Sequence, residues 1–272
     1  MKPQAFDYAR PDSAEEAVSL LAEAGDDARI LAGGQSLMAV LNLRLAQPSV
    51  LIDISRVPDL NYVRADGKHL AIGAAATQGS VEWRPTLKQE VPLLAQAFPH
   101  ISHFQIRNRG TVCGSVAHAD PSAELPLALL ALEGEVVLRS RRRRRVVPAA
   151  DFFQGMLMTA RAQDELVEEV RYPLAQSGVR YAFDEFSGRH GDFAVCAVAA
   201  VVKPDGIRLA VGGVSDRPVV RAWPRLDGAE LDAAINDFAW ELGANDDHHA
   251  SAKFRRQLVR HLGRAAIDKA IP

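Results

Sequence analysis

Ala28-Arg-Ile-Leu-Ala-Gly-Gly-Gln-Ser-Leu37 is the stretch whose reading decides the fold. Ile30, Leu31 and Ala32 form a short apolar run that stops at Gly33-Gly34, the pattern of a buried strand closing in a tight turn. Glycine has no Cβ and accepts positive φ, so a ligand can come close to the main chain there. Ser36 stands at an N-cap position before a helical pattern through Leu37, Val40, Leu41 and Arg44, and Pro48 ends the element. Val50-Leu-Ile-Asp-Ile54 reads as the next strand. Free N–H groups at such a helix start attract phosphate. A purely structural Gly-Gly turn would look the same, and the glycine spacing is neither a P-loop nor a Rossmann fingerprint.

Upstream, Phe6 and Tyr8 suggest a first strand. Ser13-Ala-Glu-Glu16 has the form of a capping box, with Val18, Leu20 and Leu21 on one helical side and Gly25 as the stop. Up to about Val57 the chain therefore reads β-α-β-α-β. The turn has a distant companion in Arg109-Gly-Thr-Val-Cys-Gly-Ser-Val-Ala-His-Ala-Asp120. Gly110 and Gly114 flank Thr111-Val-Cys113, and the hydroxyls of Thr111 and Ser115 can donate to phosphate or ribose oxygens. Asp120 before Pro121 looks like an N-cap followed by a first-turn proline. The apolar helix Leu125–Leu132 follows, with its start near Glu124 because Pro126 cannot sit deep inside. His118 and Glu124 are either cofactor contacts or braces of this second turn. Together, the two turns read as two backbone cradles for one dinucleotide.

The rest of the chain supports them. A second unit, from Leu60 to about Pro173, opens with a strand at His69–Gly73 and has helical segments at Gly79–Trp83 and Val91–Phe98. Glu135–Leu138 and Arg145–Val147 form a hairpin pattern, and Glu165–Val170 alternates like a strand. Between the hairpin strands, Arg141–Arg145 reads as an exposed tip rather than a nucleic-acid or acidic-lipid site, for there is no basic surplus elsewhere. The third unit starts near Arg180, with strands at Tyr181–Phe186, Phe193–Val202 and Ile207–Gly212 and a turn at Lys203-Pro-Asp-Gly206. Glu230–Leu242 and Ala250–Ala270 are helical. The expected fold class is α+β, or mixed α/β.

The 272 residues can bury several cores, and 48% hydrophobic with 24% charged residues is ordinary for a globular protein. A net charge of -2 gives no electrostatic case for nucleic acid or a membrane surface. No apolar stretch reaches bilayer length, and the N-terminus lacks a secretory pattern. The two cysteines, Cys113 and Cys196, are too few for a disulfide framework or an iron–sulfur cluster, which fits a reducing cytoplasm. His100 with His103, and His248 with His249, lack the companions of a metal site, so no metal residues are assigned.

Ala-Gly-Gly-Gln-Ser-Leu, Asn-Arg-Gly-Thr-Val-Cys-Gly-Ser and Ala-His-Ala-Asp-Pro-Ser-Ala-Glu-Leu-Pro together resemble the FAD-binding subunit of molybdenum hydroxylases, the medium chain of the carbon monoxide dehydrogenase and xanthine dehydrogenase group. Later segments extend the resemblance over almost the whole chain: Val147–Phe153, Arg189-His-Gly-Asp-Phe-Ala194 and His249–Arg256. It implies a two-subdomain FAD-binding unit of the vanillyl-alcohol-oxidase-like (PCMH) type, residues 1–57 and 58–175, followed by a C-terminal α+β domain with an antiparallel sheet, residues 176–272. It implies FAD contacts at Ala32, Gly33, Gly34, Gln35, Ser36 and Leu37, at Thr111, Cys113, Gly114 and Ser115, and at Asp120, Glu124 and Asp192, with no catalytic acid or base. Cys113 stands where the family has glycine, Gly188 where arginine is common, and Glu185 where some relatives have lysine. The implied partners are an iron–sulfur small subunit with [2Fe–2S] clusters and a large subunit with the molybdenum cofactor, in a heterotrimer or its dimer. FAD would collect electrons from the clusters and pass them to an external acceptor. A self-sufficient FAD-dependent oxidoreductase of the same superfamily is the alternative.

Overall fold

A computed structural model describes residues 2–271. The chain begins with β1 (Asp7–Ala9), α1 (Ala14–Ala24), β2 (Ala28–Leu31), α2 (Leu37–Asn42) and β3 (Val50–Asp53). Both pairings, β1 with β3 and β2 with β3, are parallel, in the order β1-β3-β2. Parallel neighbours need crossovers, and α1 and α2 supply them. Ser13 caps α1 by accepting from Glu16 N, while the Glu16 carboxylate reaches back to Asp12 N rather than closing a reciprocal box.

The next elements are β4 (Val63–Asp66), β5 (His69–Gly73), the short helices α3 (Gln78–Glu82), α4 (Leu87–Glu90), α5 (Pro92–Ala97) and α6 (Phe104–Arg107), then α7 (Val112–His118) and α8 (Glu124–Ala131). They are followed by β6 (Glu135–Arg139), β7 (Arg144–Pro148), α9 (Ala149–Phe152), the small hairpin β8 (Phe153–Gly155) and β9 (Met158–Thr159), and β10 (Leu166–Pro173). Their antiparallel sheet runs β4-β5-β10-β6-β7, which puts β10 in the middle. Glu168 and Glu169 of β10, and Glu165 just before it, are buried, so each needs a partner. Glu165, at its foot, is buried against Arg145 at 2.7 Å. Glu168 takes Arg144 and Arg139, and Glu169 takes Tyr62 at 2.6 Å and Arg171 at 2.6 Å. The arginine run is therefore not a free tip along its whole length: Arg143, Arg144 and Arg145 are spent on β10 carboxylates.

Strands β11 (Arg180–Ser187), β12 (Ala194–Lys203), β13 (Gly206–Gly212) and β14 (Val219–Pro224) form an antiparallel sheet in sequence order, covered by α10 (Gly228–Glu241) and α11 (Ala252–Ala270). Lys203 pairs with Gly206 across the expected turn. Gly263 lets α11 lie close, since a Cβ there would sit 2.9 Å from Leu209 Cδ2. The mixed α/β architecture with antiparallel sheets is as the sequence suggests. The main buried cluster runs without a break from Val18 and Ile52 through Ile72 and Val116 to Leu127 and Tyr172. Tyr172 is wholly buried, and its hydroxyl donates to Leu125 O.

Candidate functional site: a cleft between two glycine turns

The two turns meet. A Cβ on Gly33 would lie 2.2 Å from Arg109 O and 2.6 Å from Gly110 Cα, so main chain packs on main chain with no room for a methyl group. Gly34 has φ +72°, the left-handed region that favours glycine. The second turn is held by Gln78, whose N–H donates to Gly110 O, and by the pairing of Thr77 with Thr111.

They border one cleft of about 740 Å³, in the range of small-molecule sites. Ala32, Gly33, Gly34, Gln35, Ser36 and Leu37 line it from one side, and Thr111, Cys113, Gly114 and Ser115 from the other. Asp120, Glu124 and Asp192 complete the lining, so all the residues singled out from the sequence come together. Among the described residues, the main-chain N–H groups of Gly33, Gly34, Gln35, Ser36 and Leu37 donate to no acceptor in the chain. Successive unpaired amides form a concavity suited to an anion.

Some local roles differ from those read in the sequence. Ser36 holds the N-cap position of α2 as read from the sequence, but with φ -93° and ψ -45° it is already helical and its side chain makes no capping bond. Helix α2 stops at Asn42 rather than running through Arg44, which takes φ 57° and ends it. Asp120 does not cap α8 either. Its Oδ1 accepts from Ser122 N in a local turn, and Ala123 holds the cap position. Helix α8 starts at Glu124, as its proline suggested. Pro126 falls in the first turn, where its missing N–H removes no bond.

Thr111 caps α7 by accepting from Gly114 N at 3.0 Å, which leaves its hydroxyl proton to donate. Cys113 lies in the first turn of that helix outside the positive-φ residues, so no glycine is required there. Its thiol is buried and donates to Ile72 O, and burial pushes its pKa far up. Asp192 is held by Arg189 at 3.0 Å. Glu185 stands outside the cleft lining, beside His100.

The cleft also has residues that no local pattern marks. Ile101, Ile106, Leu166, Val167, Leu157 and Phe193 give it apolar walls. Among the described residues, Arg29 and Arg161 line it without a carboxylate partner. Burial draws the Arg161 pKa down, and the charge of Arg29 adds to that. Gln78 Oε1 is buried in the lining with no partner of its own. Gln78 follows a capping threonine and Arg29 lies on β2 just before the first turn, whereas Leu157, Arg161, Leu166, Val167 and Phe193 come from segments distant from both turns in sequence.

Unpaired amides, two cations and apolar walls in one cleft define a site for a dinucleotide with a large ring system. Residues 4–175 match the family of the FAD-binding domain in molybdopterin dehydrogenase. The chain is 40% identical to the nicotine 6-hydroxylase medium subunit of Paenarthrobacter nicotinovorans, over 99% of each chain. It is 38% identical to the 6-hydroxypseudooxynicotine dehydrogenase complex subunit alpha of the same organism, over all of this chain and 96% of that one. Among solved structures, the carbon monoxide dehydrogenase of Hydrogenophaga pseudoflava contains a chain that superposes with a TM-score of 0.92 at 33% identity, covering 99% of this chain and 98% of that one. The protein belongs to the family of FAD-binding subunits of molybdenum hydroxylases.

The residues present fit FAD on their own terms. The free amides suit a diphosphate, and the close Gly33–Arg109 contact holds both turns at one cleft. No group of three or more His, Cys, Asp or Glu among the described residues could hold a metal, and no described helix is long and apolar enough to cross a membrane.

Proposed function

We propose that this chain is the electron-transfer subunit of a molybdenum hydroxylase, holding FAD that receives electrons from [2Fe–2S] clusters of a small partner chain and passes them to an external acceptor. The large partner carries the molybdenum cofactor and oxidises the substrate. The observation that carries this reading is the run of unpaired amides from Gly33 to Leu37, set against the second glycine turn at the edge of one cleft. Gly33–Leu37 with Thr111, Cys113, Gly114 and Ser115 hold the diphosphate, and Ala32 closes the strand end beside it. Asp120, Glu124 and Asp192 address the sugar and ring portions. Residues 1–57, 58–175 and 176–272 act as two FAD-binding subdomains and a C-terminal domain that closes the cleft through Asp192.

The isoalloxazine supplies the redox chemistry; the chain binds it, orients it and limits its contact with water. Relatives named for nicotine, 6-hydroxypseudooxynicotine and carbon monoxide share this subunit, which supports placing substrate choice in the large chain. The experiment is purification of the complex from its host with flavin, iron and molybdenum analysis, alongside the chain produced alone. FAD in the isolated chain, with iron and molybdenum only in the complex, is the expected outcome. Substrate oxidation by the isolated chain would instead identify a self-sufficient oxidoreductase.

A further inference from the structure

Arg29 and Arg161 line the cleft but belong to neither of the glycine turns. Arg29 stands on β2, and Arg161 follows β9 by two residues. Each guanidinium is fixed through Nη1 alone. Arg29 Nη1 donates to Asp26 O at 2.9 Å and Ala28 O at 2.7 Å. Arg161 Nη1 donates to Ala162 O at 2.9 Å, Gln163 O at 3.3 Å and Glu165 O at 2.8 Å. Among the described residues, Nε and Nη2 of both donate to nothing in the chain. Arg29 is exposed, and the free nitrogens of Arg161 are not sealed from solvent. The two side chains are tied together through Asp26. Its carbonyl takes Arg29, its carboxylate meets the Gln163 amide, and the carbonyl of Gln163 takes Arg161. The carboxylate of nearby Glu165 is spent on Arg145.

We propose that Arg29 and Arg161 form an adenine subsite, which makes the cleft selective for an adenine dinucleotide over a flavin mononucleotide. The proposal rests on the FAD reading above. A guanidinium plane stacks on the face of a base, and its free N–H groups donate to the ring nitrogens. Adenine offers both a face and acceptors without a charge that would need a further counter-ion. ADP alone therefore binds the flavin-free chain.

Placement supports this. From Arg29 to Gly33 are four residues of extended chain, about 13 Å, so a nucleoside joined to a diphosphate at the turn brings its base towards the arginines. Ile30, next to Arg29, and Leu166 and Val167, soon after Arg161, add apolar lining for a flat ring. Burial, followed by the charge of Arg29, draws the Arg161 pKa down, so the two cations are near enough to act on one ligand. The isoalloxazine is left to Ile101, Ile106 and Phe193, which the second and third units supply to the same cleft.

The test is calorimetric titration of the full chain, freed of flavin, with FAD, ADP, FMN and inorganic diphosphate. The native chain binds ADP. Arg29→Gln and Arg161→Gln each weaken ADP and FAD roughly tenfold, within what a cation on an aromatic face contributes, and leave FMN and diphosphate unchanged. Arg161 also braces the 161–165 turn, so if Arg161→Gln melts early, Arg29→Gln decides alone. Its side chain is exposed and bonds only to carbonyls beside it in sequence. No binding of ADP by the native chain overturns the subsite, as does unchanged ADP affinity in Arg29→Gln. An equal loss for FMN or diphosphate also overturns it, because the arginines then hold phosphate rather than base. A native chain that takes up neither FAD nor ADP refutes the cofactor reading itself. One that takes up FAD but fails the variant test refutes only the adenine subsite.

Discussion

Gly33 lies directly against the carbonyl of Arg109: a methyl group on the glycine would sit 2.2 Å from that oxygen. The contact joins the parallel sheet to the turn before α7 and sets the width of the cleft between them. Gly33→Val should drive the turns apart and abolish flavin retention. Gly114→Val meets the capping hydroxyl of Thr111 at 2.6 Å and should cost the cap, about 1 kcal/mol, as well as the second cradle. Visible absorbance of the purified variants reads retention, and circular dichroism reads the fold. Native FAD affinity in Gly33→Val would show that the cradle does not hold the cofactor.

Gln78 gives a cleaner separation of binding from folding. Among the described residues its Oε1 is buried without a partner, which costs the empty chain stability and offsets the long bond its amide donates to Thr111 O at 3.5 Å. Gln78→Leu should leave the melting temperature of the flavin-free chain nearly unchanged. It should weaken FAD by roughly tenfold, the worth of one net hydrogen bond of about 1.4 kcal/mol. Calorimetric titration checks the affinity. An equal loss of stability and affinity would make Gln78 a structural brace.

The paired glutamates of β10 predict how stability depends on pH. Burial tends to raise the pKa of Glu165, but Arg145 and the Ala162 N–H overcome it, and Glu169 is lowered likewise by Tyr62 and Arg171. A carboxylate depressed in the folded state stabilises above its unfolded pKa, about 4.3, and loses that contribution as pH falls through the lower folded value. Thermal stability should therefore drop progressively below about pH 4.5. Arg145→Leu removes the nearest cation from a carboxylate that is 1% exposed, leaving it Arg143 at 3.5 Å and the Ala162 N–H, and should cost roughly 3 kcal/mol at pH 7. Melting curves across pH test both statements; a variant as stable as the parent at pH 7 would refute the second.

Both thiols should be inert in the native state. Cys113 is raised well above its ordinary value by burial, and Cys196 is pushed up to about 12 for the same reason. Ellman's reagent should label neither until the chain is unfolded. Cys113→Gly should keep FAD and lose about 1 kcal/mol of stability, because the position is helical and glycine is a poor helix former. Rapid labelling of the native chain would mean that the α7 start opens readily.

The first β-α-β-α-β unit, the β6–β7 hairpin and the β12–β13 turn were legible because strand alternation, helix period and turn chemistry are local. What misled were positions where one local geometry competes with another. Ser36 has the chemistry of a cap, yet the turn from Gly34 has already brought it into helical geometry. Arg44 adopts a left-handed φ that composition would assign to glycine. Asp120 spends its side chain on Ser122 within a tight turn, leaving the helix start to Ala123 and Glu124.

By itself the sequence determined that two glycine turns exist, that each leads into a helix, and that the chain carries the motifs of a flavin-binding family, since these depend on residues adjacent in the chain. Only the tertiary structure decided that the turns touch, that Arg143, Arg144 and Arg145 pair with Glu165 and Glu168, and that Glu124 is buried at the cleft. Those facts depend on distances between residues far apart in sequence, and on removal from water, which no local pattern encodes.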